Sequence, residues 1–214
     1  MSDCTTLSRI ALESGAIRFN PDKPFIWASG YKMPIYNDNR LLLGKPEYRS
    51  FISKLFARLL EDLAQNIDVI AGTATAGIPH ATTLADILKK PLIYVRASAK
   101  SHGMGNQIEG PLAPGQNVLL IEDLISTGGS AINAVNAIRK KGGIVNFCFC
   151  IFSYGFTEAH KKFDEINCQY HSLLTFKTLL KEAESLQLLS NGQIESLRSW
   201  NKDPFNWAET KGFK

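Results

Sequence analysis

Val118-Leu-Leu-Ile-Glu-Asp-Leu-Ile-Ser-Thr-Gly-Gly-Ser130 is the stretch on which the fold turns. Asn117 to Ile121 is a short apolar run, NVLLI, of the kind that forms a buried strand. Two acids, Glu122 and Asp123, follow it. A hydroxyl- and glycine-rich turn, Ser126 to Ser130, then opens a helix over Ser130 to Lys141, whose Ile132, Val135, Ala137 and Ile138 supply an apolar stripe. Ligands of open α/β sheets bind where the strands end at their carboxyl side. The turn offers small side chains, hydroxyl donors and backbone N–H groups at a helix N-terminus, a cradle suited to a monophosphate. The two carboxylates cannot hold that phosphate. They can accept hydrogen bonds from vicinal sugar hydroxyls, or favour positive charge developing on a ring. A phosphate cradle beside an acid pair reads as a ribose 5-phosphate pocket. The plainer alternative is that Glu122 and Asp123 only end a strand and Ser130 only caps a helix. The Walker pattern and the dinucleotide fingerprint are both missing from the string.

Outward from this stretch, strands and helices alternate. Ile67 to Ala71, Leu92 to Val95 and Gly143 to Phe152 read as strands, and the last is apolar throughout, as a strand covered on both faces would be. Pro46 to Gln65 is an amphipathic helix, with Phe51, Ile52, Leu55, Phe56, Leu59, Leu60 and Leu63 at the helical period and Pro46 suited to the first turn. Gly77 to Leu88 is a helix after a small-residue loop. Thr5 to Ser14 is a short helix, Pro21 to Asn39 a set of extended pieces and turns, and Leu173 to Trp200 two further helices. This alternation predicts a mainly parallel sheet wrapped by helices. Ala97 to Gly115 has no apolar period but carries Gly103, Gly105 and Gly110 with two basic side chains. Lying between strands, it reads as a mobile active-site lid.

Composition fits this reading. The 214 residues are 44% hydrophobic and 21% charged, which suits one globular domain and excludes disorder, collagen and disulfide scaffolds. A formal charge of +4 suits an anionic small molecule and falls short of a dedicated nucleic-acid binder. Cys148 and Cys150, two apart in an apolar strand, are expected as core thiols on one face. His80, His160 and His171 lack ligand spacing and are expected as surface or satisfied core residues. No stretch approaches the ~18 apolar residues of a membrane span, and the first residues carry no basic-then-apolar signal. A cytoplasmic location is expected, with no membrane and no nucleic acid as partner.

Ile121-Glu-Asp-Leu-Ile-Ser-Thr-Gly-Gly-Ser130 closely resembles the 5-phosphoribosyl 1-diphosphate (PRPP) signature of type I phosphoribosyltransferases. Three more segments narrow the resemblance to the orotate phosphoribosyltransferases. Phe25-Ile-Trp-Ala-Ser-Gly-Tyr-Lys-Met-Pro-Ile-Tyr-Asn-Asp-Asn-Arg40 is similar to that family's substrate segment. Ala71-Gly-Thr-Ala-Thr-Ala-Gly-Ile-Pro79 is similar to its diphosphate loop. Tyr94-Val-Arg-Ala-Ser-Ala-Lys-Ser-His102, continuing to Gly105, is similar to its catalytic loop. The likeness runs from about residue 7 to about residue 155.

The resemblance implies the type I phosphoribosyltransferase fold: a mainly parallel central sheet flanked by helices, with a small N-terminal hood. One domain would span residues 1–214, with the hood at about 1–45, the core at about 46–170 and C-terminal helices at about 171–214. It implies that orotate and PRPP give orotidine 5′-monophosphate and diphosphate, with Mg²⁺ held through PRPP rather than by protein ligands. PRPP would be bound by Arg96, Lys100, His102, Glu122, Asp123, Leu124, Ile125, Ser126, Thr127, Gly128, Gly129 and Ser130. Lys100 and Asp123 would be catalytic, and Ser126 and Lys32 would touch orotate. Three positions depart from relatives: Ala76 and Ala28 stand where some carry Lys, and Tyr154 stands near an Arg of others. A homodimer with shared active sites is implied, each loop serving its neighbour. Two rivals share the fold: a purine-type phosphoribosyltransferase, and a PRPP-sensing regulator that binds nucleic acid. The substrate segment argues against the first, and the loop with Lys100 and His102 against the second.

Overall fold

A strand that is apolar on both faces is stable only when both are covered, so the run over residues 143–152 calls for a layered sheet. The computed structural model, which describes residues 2–63, 66–98 and 106–213, has this layering. In chain order the elements are α1 (Asp3–Glu13), β1 (Ile17–Phe19), β2 (Phe25–Ile26), β3 (Lys32–Met33), β4 (Ile35–Asn37), a 3-10 turn (Asn39–Gly44), α2 (Pro46–Asp62), β5 (Val69–Thr73), α3 (Gly77–Leu88), β6 (Leu92–Val95), β7 (Ile108–Glu109), β8 (Asn117–Ile125), α4 (Gly129–Lys140), β9 (Ile144–Ser153), α5 (Thr157–Glu165), β10 (Gln169–Thr175), α6 (Phe176–Ser185), α7 (Asn191–Lys202) and α8 (Trp207–Thr210). They fall into two compact units. Lys45–Thr175 form one, and the residues up to Gly44 together with those from Phe176 onward form the other.

The first unit holds a six-stranded sheet in the order β10-β9-β8-β5-β6-β7. Five strands run parallel, and β7 pairs antiparallel with β6. Phe149 of β9 faces α2, where the Phe56 ring stacks on it at 6.1 Å. The even-numbered Cys148 and Cys150 are buried on the other face with Ala131, Val135 and Ile138 of α4. The two thiols therefore share a face, as their spacing predicts. Each fully buried side chain of the size of Phe149 or Phe152 contributes roughly 1.5–3 kcal/mol.

Several elements differ from expectation. β8 does not stop at Ile121 but runs through the acids to Ile125, because β9 continues to pair with it: Glu122 opposite Cys150, Leu124 opposite Phe152, Ile125 opposite Ser153. Tertiary pairing overrides the poor strand preference of the acids. β10 was not expected. It is a half-polar edge strand, legible only through its pairing with β9. Nor was α5, a short helix that buries only Ala159 and Phe163. Within the segment read as an aperiodic loop, Ile108–Glu109 form β7.

In the second unit β1 pairs with β4, and β2 with β3. The C-terminal helices pack on the N-terminal segment. Arg9 of α1 pairs with Glu182 of α6 at 2.7 Å. Buried Trp200 lies edge-on to Trp27 and Phe176 and donates its Nε1–H to Met33 Sδ at 3.0 Å. Ser190 and Gln193 start α7 with a reciprocal capping box.

Candidate active site

The parallel register brings the carboxyl ends of β8, β5 and β6 side by side at one edge of the sheet. A close approach locks this edge. A Cβ on Gly77, at the start of α3, would stand 2.5 Å from the Ile121 carbonyl oxygen and 2.6 Å from Thr73 Oγ1. Only glycine lets α3 sit against both strands there. Thr73 Oγ1 donates to the Ile121 oxygen at 3.1 Å, stitching β5 to β8 one residue ahead of the acids.

Neighbours on a strand point to opposite faces, and the two acids differ accordingly. Glu122 turns to the α4 side and is only 5% exposed. Its Oε1 accepts the Asp123 backbone N–H, and its Oε2 accepts the Ser130 hydroxyl, both at 3.0 Å. Burial, and next the charge of Asp123, push the Glu122 carboxyl up to about 8. Asp123 is half-buried, as is Leu124, while Ile125 is buried.

Ser126 and Thr127 are half-buried and lead into Gly128, which caps α4 at φ +82°. A side chain there would be strained, and its Cβ would meet the Phe163 ring at 3.1 Å. The first N–H to bond back along α4 is that of Ile132, to the Gly128 oxygen at 3.0 Å. The N–H groups of Gly129, Ser130 and Ala131 therefore have no acceptor within the helix, and they carry its positive dipole end.

Arg96 follows β6 directly. With Ala74, Thr75, Ile78, Tyr94, Ala97 and Ser98 it lines a cavity of about 400 Å³, in the range of small-molecule sites. Its NH1 lies 3.8 Å from Glu109 Oε1, and its backbone N–H and C=O bond to Gln107. Lys100 and His102 lie outside the described residues. Lys32 belongs to the other unit, where it is half-buried on β3. In the same substrate-like segment Trp27 Nε1–H donates to the Ile35 oxygen at 2.9 Å, and Arg40 grips Asp38 through two hydrogen bonds. Those bonds hold the Asp38 carboxyl below its usual range.

Tyr154 is core packing: buried, stacked on Phe156 at 5.3 Å and edge-on to Phe152. Two histidines correct the expectation of surface or satisfied core. His80 Nδ1 and His171 Nε2 are buried without a hydrogen-bond partner among the described residues. Burial, with Arg49 nearby, lowers the His80 imidazole to about 4. His160 alone meets the expectation, bonded to Tyr170 at 2.8 Å. Thr73, Thr75 and Tyr94 were not singled out in the sequence as site residues. The hydroxyls of Thr73 and Thr75 were visible in the small-residue loop, but their placement depends on strand register.

Comparison with known proteins agrees with this geometry. The family model described as "Phosphoribosyl transferase domain" matches residues 45–177. The orotate phosphoribosyltransferase of Listeria monocytogenes serotype 4b is 45% identical over 198 residues, covering 92% of this chain and 95% of that protein. That of Coxiella burnetii is 44% identical over 207 residues, covering 97% and 99%. Among solved structures, orotate phosphoribosyltransferase from Aeropyrum pernix superposes with a TM-score of 0.72 at 31% identity, covering 86% of this chain and 99% of that one. A mainly parallel sheet carrying an acid pair and a glycine turn at its carboxyl edge, together with these matches, places the chain in the phosphoribosyltransferase family, among the orotate phosphoribosyltransferases.

Proposed function

We propose that the carboxyl edge of this sheet transfers the 5-phosphoribosyl group of PRPP to orotate, giving orotidine 5′-monophosphate and diphosphate, a step of pyrimidine biosynthesis. The observation that carries the assignment is the joining of an acid pair to a glycine turn at the start of α4, Glu122 to Ser130 at 3.0 Å, beside the cavity lined by Arg96. The N–H groups of the turn and the hydroxyls of Ser126 and Thr127 hold the 5-phosphate. Asp123 and Glu122 accept from the ribose hydroxyls, with Leu124 and Ile125 fixing the strand beneath. As the anomeric bond breaks, the ring gains positive charge and the diphosphate negative charge, so Asp123 favours the one and Arg96, Lys100 and His102 the other. Ser126 and Lys32 are assigned to orotate by resemblance.

By resemblance, a Mg²⁺ ion would travel with PRPP, held by the oxygens of PRPP and by water, the ligand type Mg²⁺ prefers, rather than by protein side chains. When bound, the ion neutralises diphosphate charge. We further read the chain as one domain over residues 1–214, acting as a homodimer whose loops serve neighbouring sites. A cytoplasmic location is supported by four unpaired thiols, Cys4, Cys148, Cys150 and Cys168. Among the described residues no helix is long and apolar enough to cross a membrane.

Orotate absorbance should fall on addition of PRPP and Mg²⁺, with diphosphate released. Uracil and purine bases in parallel assays should be left unchanged. Consumption of a purine base instead would replace this assignment with the purine-type one.

A further inference from the structure

We propose that Ser130 is a positioning residue, a strut whose hydroxyl holds the buried Glu122 carboxylate in place and so ties the acid pair to the phosphate-binding turn. The resemblance gives Ser130 a place among the residues that bind PRPP. The geometry gives its side chain a different target from its backbone. The N–H of Ser130 lies in the first turn of α4, available to a phosphate, while Oγ is 3.0 Å from Glu122 Oε2. Both Glu122 oxygens are thereby engaged, Oε1 by the Asp123 N–H and Oε2 by Ser130. Of these two donors, one belongs to the strand itself, so Ser130 links Glu122 to α4, while the Thr73 hydroxyl of β5 also bonds to the carboxyl.

The consequence is chemical. Ser130 donates its proton to the carboxylate, and a donated hydrogen bond favours the charged form. The titratable groups facing Glu122 are Asp123 on its own strand and the thiols of Cys148 and Cys150 on β9, none of which supplies positive charge. Burial and the Asp123 side chain oppose ionisation of Glu122, while bonds from the Thr73 hydroxyl and the Asp123 backbone N–H favour it, and the Ser130 hydroxyl, 3.0 Å from Oε2, adds a further donor on the same side. A Glu122 held in this way can accept a ribose hydroxyl without rearranging, and any shift of the turn on binding phosphate moves the carboxylate with it. The catalytic part of this inference rests on the function proposed above. The structural part does not.

The test separates the two. Carboxyl carbons of ¹³C-glutamate-labelled, ligand-free protein can be titrated by NMR, with Glu122→Gln identifying the resonance. In Ser130→Ala the Glu122 titration should move upward by about one pH unit, the effect of losing one charge-assisted hydrogen bond. Ser130→Thr, which keeps the hydroxyl at an exposed position, should restore it. In the orotate assay the acid limb of kcat/KM for PRPP should move the same way in Ser130→Ala and return in Ser130→Thr. An unmoved Glu122 titration in a folded Ser130→Ala protein overturns the strut. So does a uniform rise in KM for PRPP with an unchanged pH profile, which would make the hydroxyl a phosphate ligand only. A Glu122 titration that moves in Ser130→Ala, beside a wild-type protein that does not consume orotate, would leave the strut standing and refute the assigned reaction.

Discussion

At the level of single residues, Glu122 and Asp123 are adjacent in the chain and unlike in setting, so their substitutions should read out differently. Asp123 is half-buried at the open edge, and Glu122 is buried behind it. Asp123→Asn keeps the shape and removes the charge. With charge-assisted hydrogen bonds contributing roughly 1.5–3 kcal/mol each, orotate turnover should fall ten- to a hundredfold while the melting temperature stays near that of the wild type. Near-normal turnover would remove Asp123 from the mechanism. Glu122 is instead a stability probe. Its carboxyl ionises at about 8 in the folded protein, against 4.5 for the free side chain. Below 4.5 both states hold the proton and pH has no effect through this group. Between 4.5 and 8 the unfolded chain has released the proton while the folded protein retains it, so stability falls as pH rises, by about 1.4 kcal/mol per unit within that window. Above 8 the slope ends. Glu122→Gln should lack this slope, so chemical unfolding at a series of pH values should show the variant gaining on the wild type from pH 5 to 8. Parallel curves would show that Glu122 ionises normally.

The helices and strands around these residues show why some of the fold was legible and some was not. The sequence marks the helix over Gly77–Leu88 and the strand over Leu92–Val95 at their observed bounds, because each has a clean period and a break at both ends. Local preference puts the two acids beyond their strand, because it cannot see β9 continuing to pair with them. β10 has the weak alternation of an edge strand and declares itself only through its partner. The turn at Ser126–Ser130 was legible as a phosphate cradle from residue types alone. The inward aim of Ser130 was not, since it depends on α4 lying over the Glu122 face of β8. Gly77 illustrates the same limit: a small residue in a loop-to-helix junction, whose necessity comes from an oxygen 2.5 Å from where its Cβ would be. Gly77→Ala should force α3 away from β5 and β8 and disturb the Thr73 bond to Ile121. A loss of stability of about 1–3 kcal/mol, typical of overpacking, should accompany a rise in KM for PRPP. Unchanged unfolding and kinetics would show that α3 can shift without effect on the site.

For the molecule as a whole, the decisive question is whether one chain completes its own site. The acid pair, the turn and Arg96 belong to the unit Lys45–Thr175, whereas Lys32 belongs to the other. Lys100 and His102 enter by resemblance, which also assigns them to the neighbouring subunit's site. That assignment makes a prediction that no single-site reading shares. Lys100→Ala alone should be severely impaired, and so should Asp123→Asn. In a dimer of one such chain with the other, the pocket with intact acids belongs to the Lys100→Ala chain and receives its loop from the Asp123→Asn chain, whose Lys100 is intact. The other pocket carries both defects. Mixing the two inactive proteins under conditions of subunit exchange should therefore restore activity, to about half of wild type per mixed dimer, since one pocket in two is whole. If each loop served its own chain, every pocket in the mixture would keep one defect and nothing would return. With exchange verified by differently tagged subunits, recovery supports the shared site, and its absence places Lys100 in the site of its own chain.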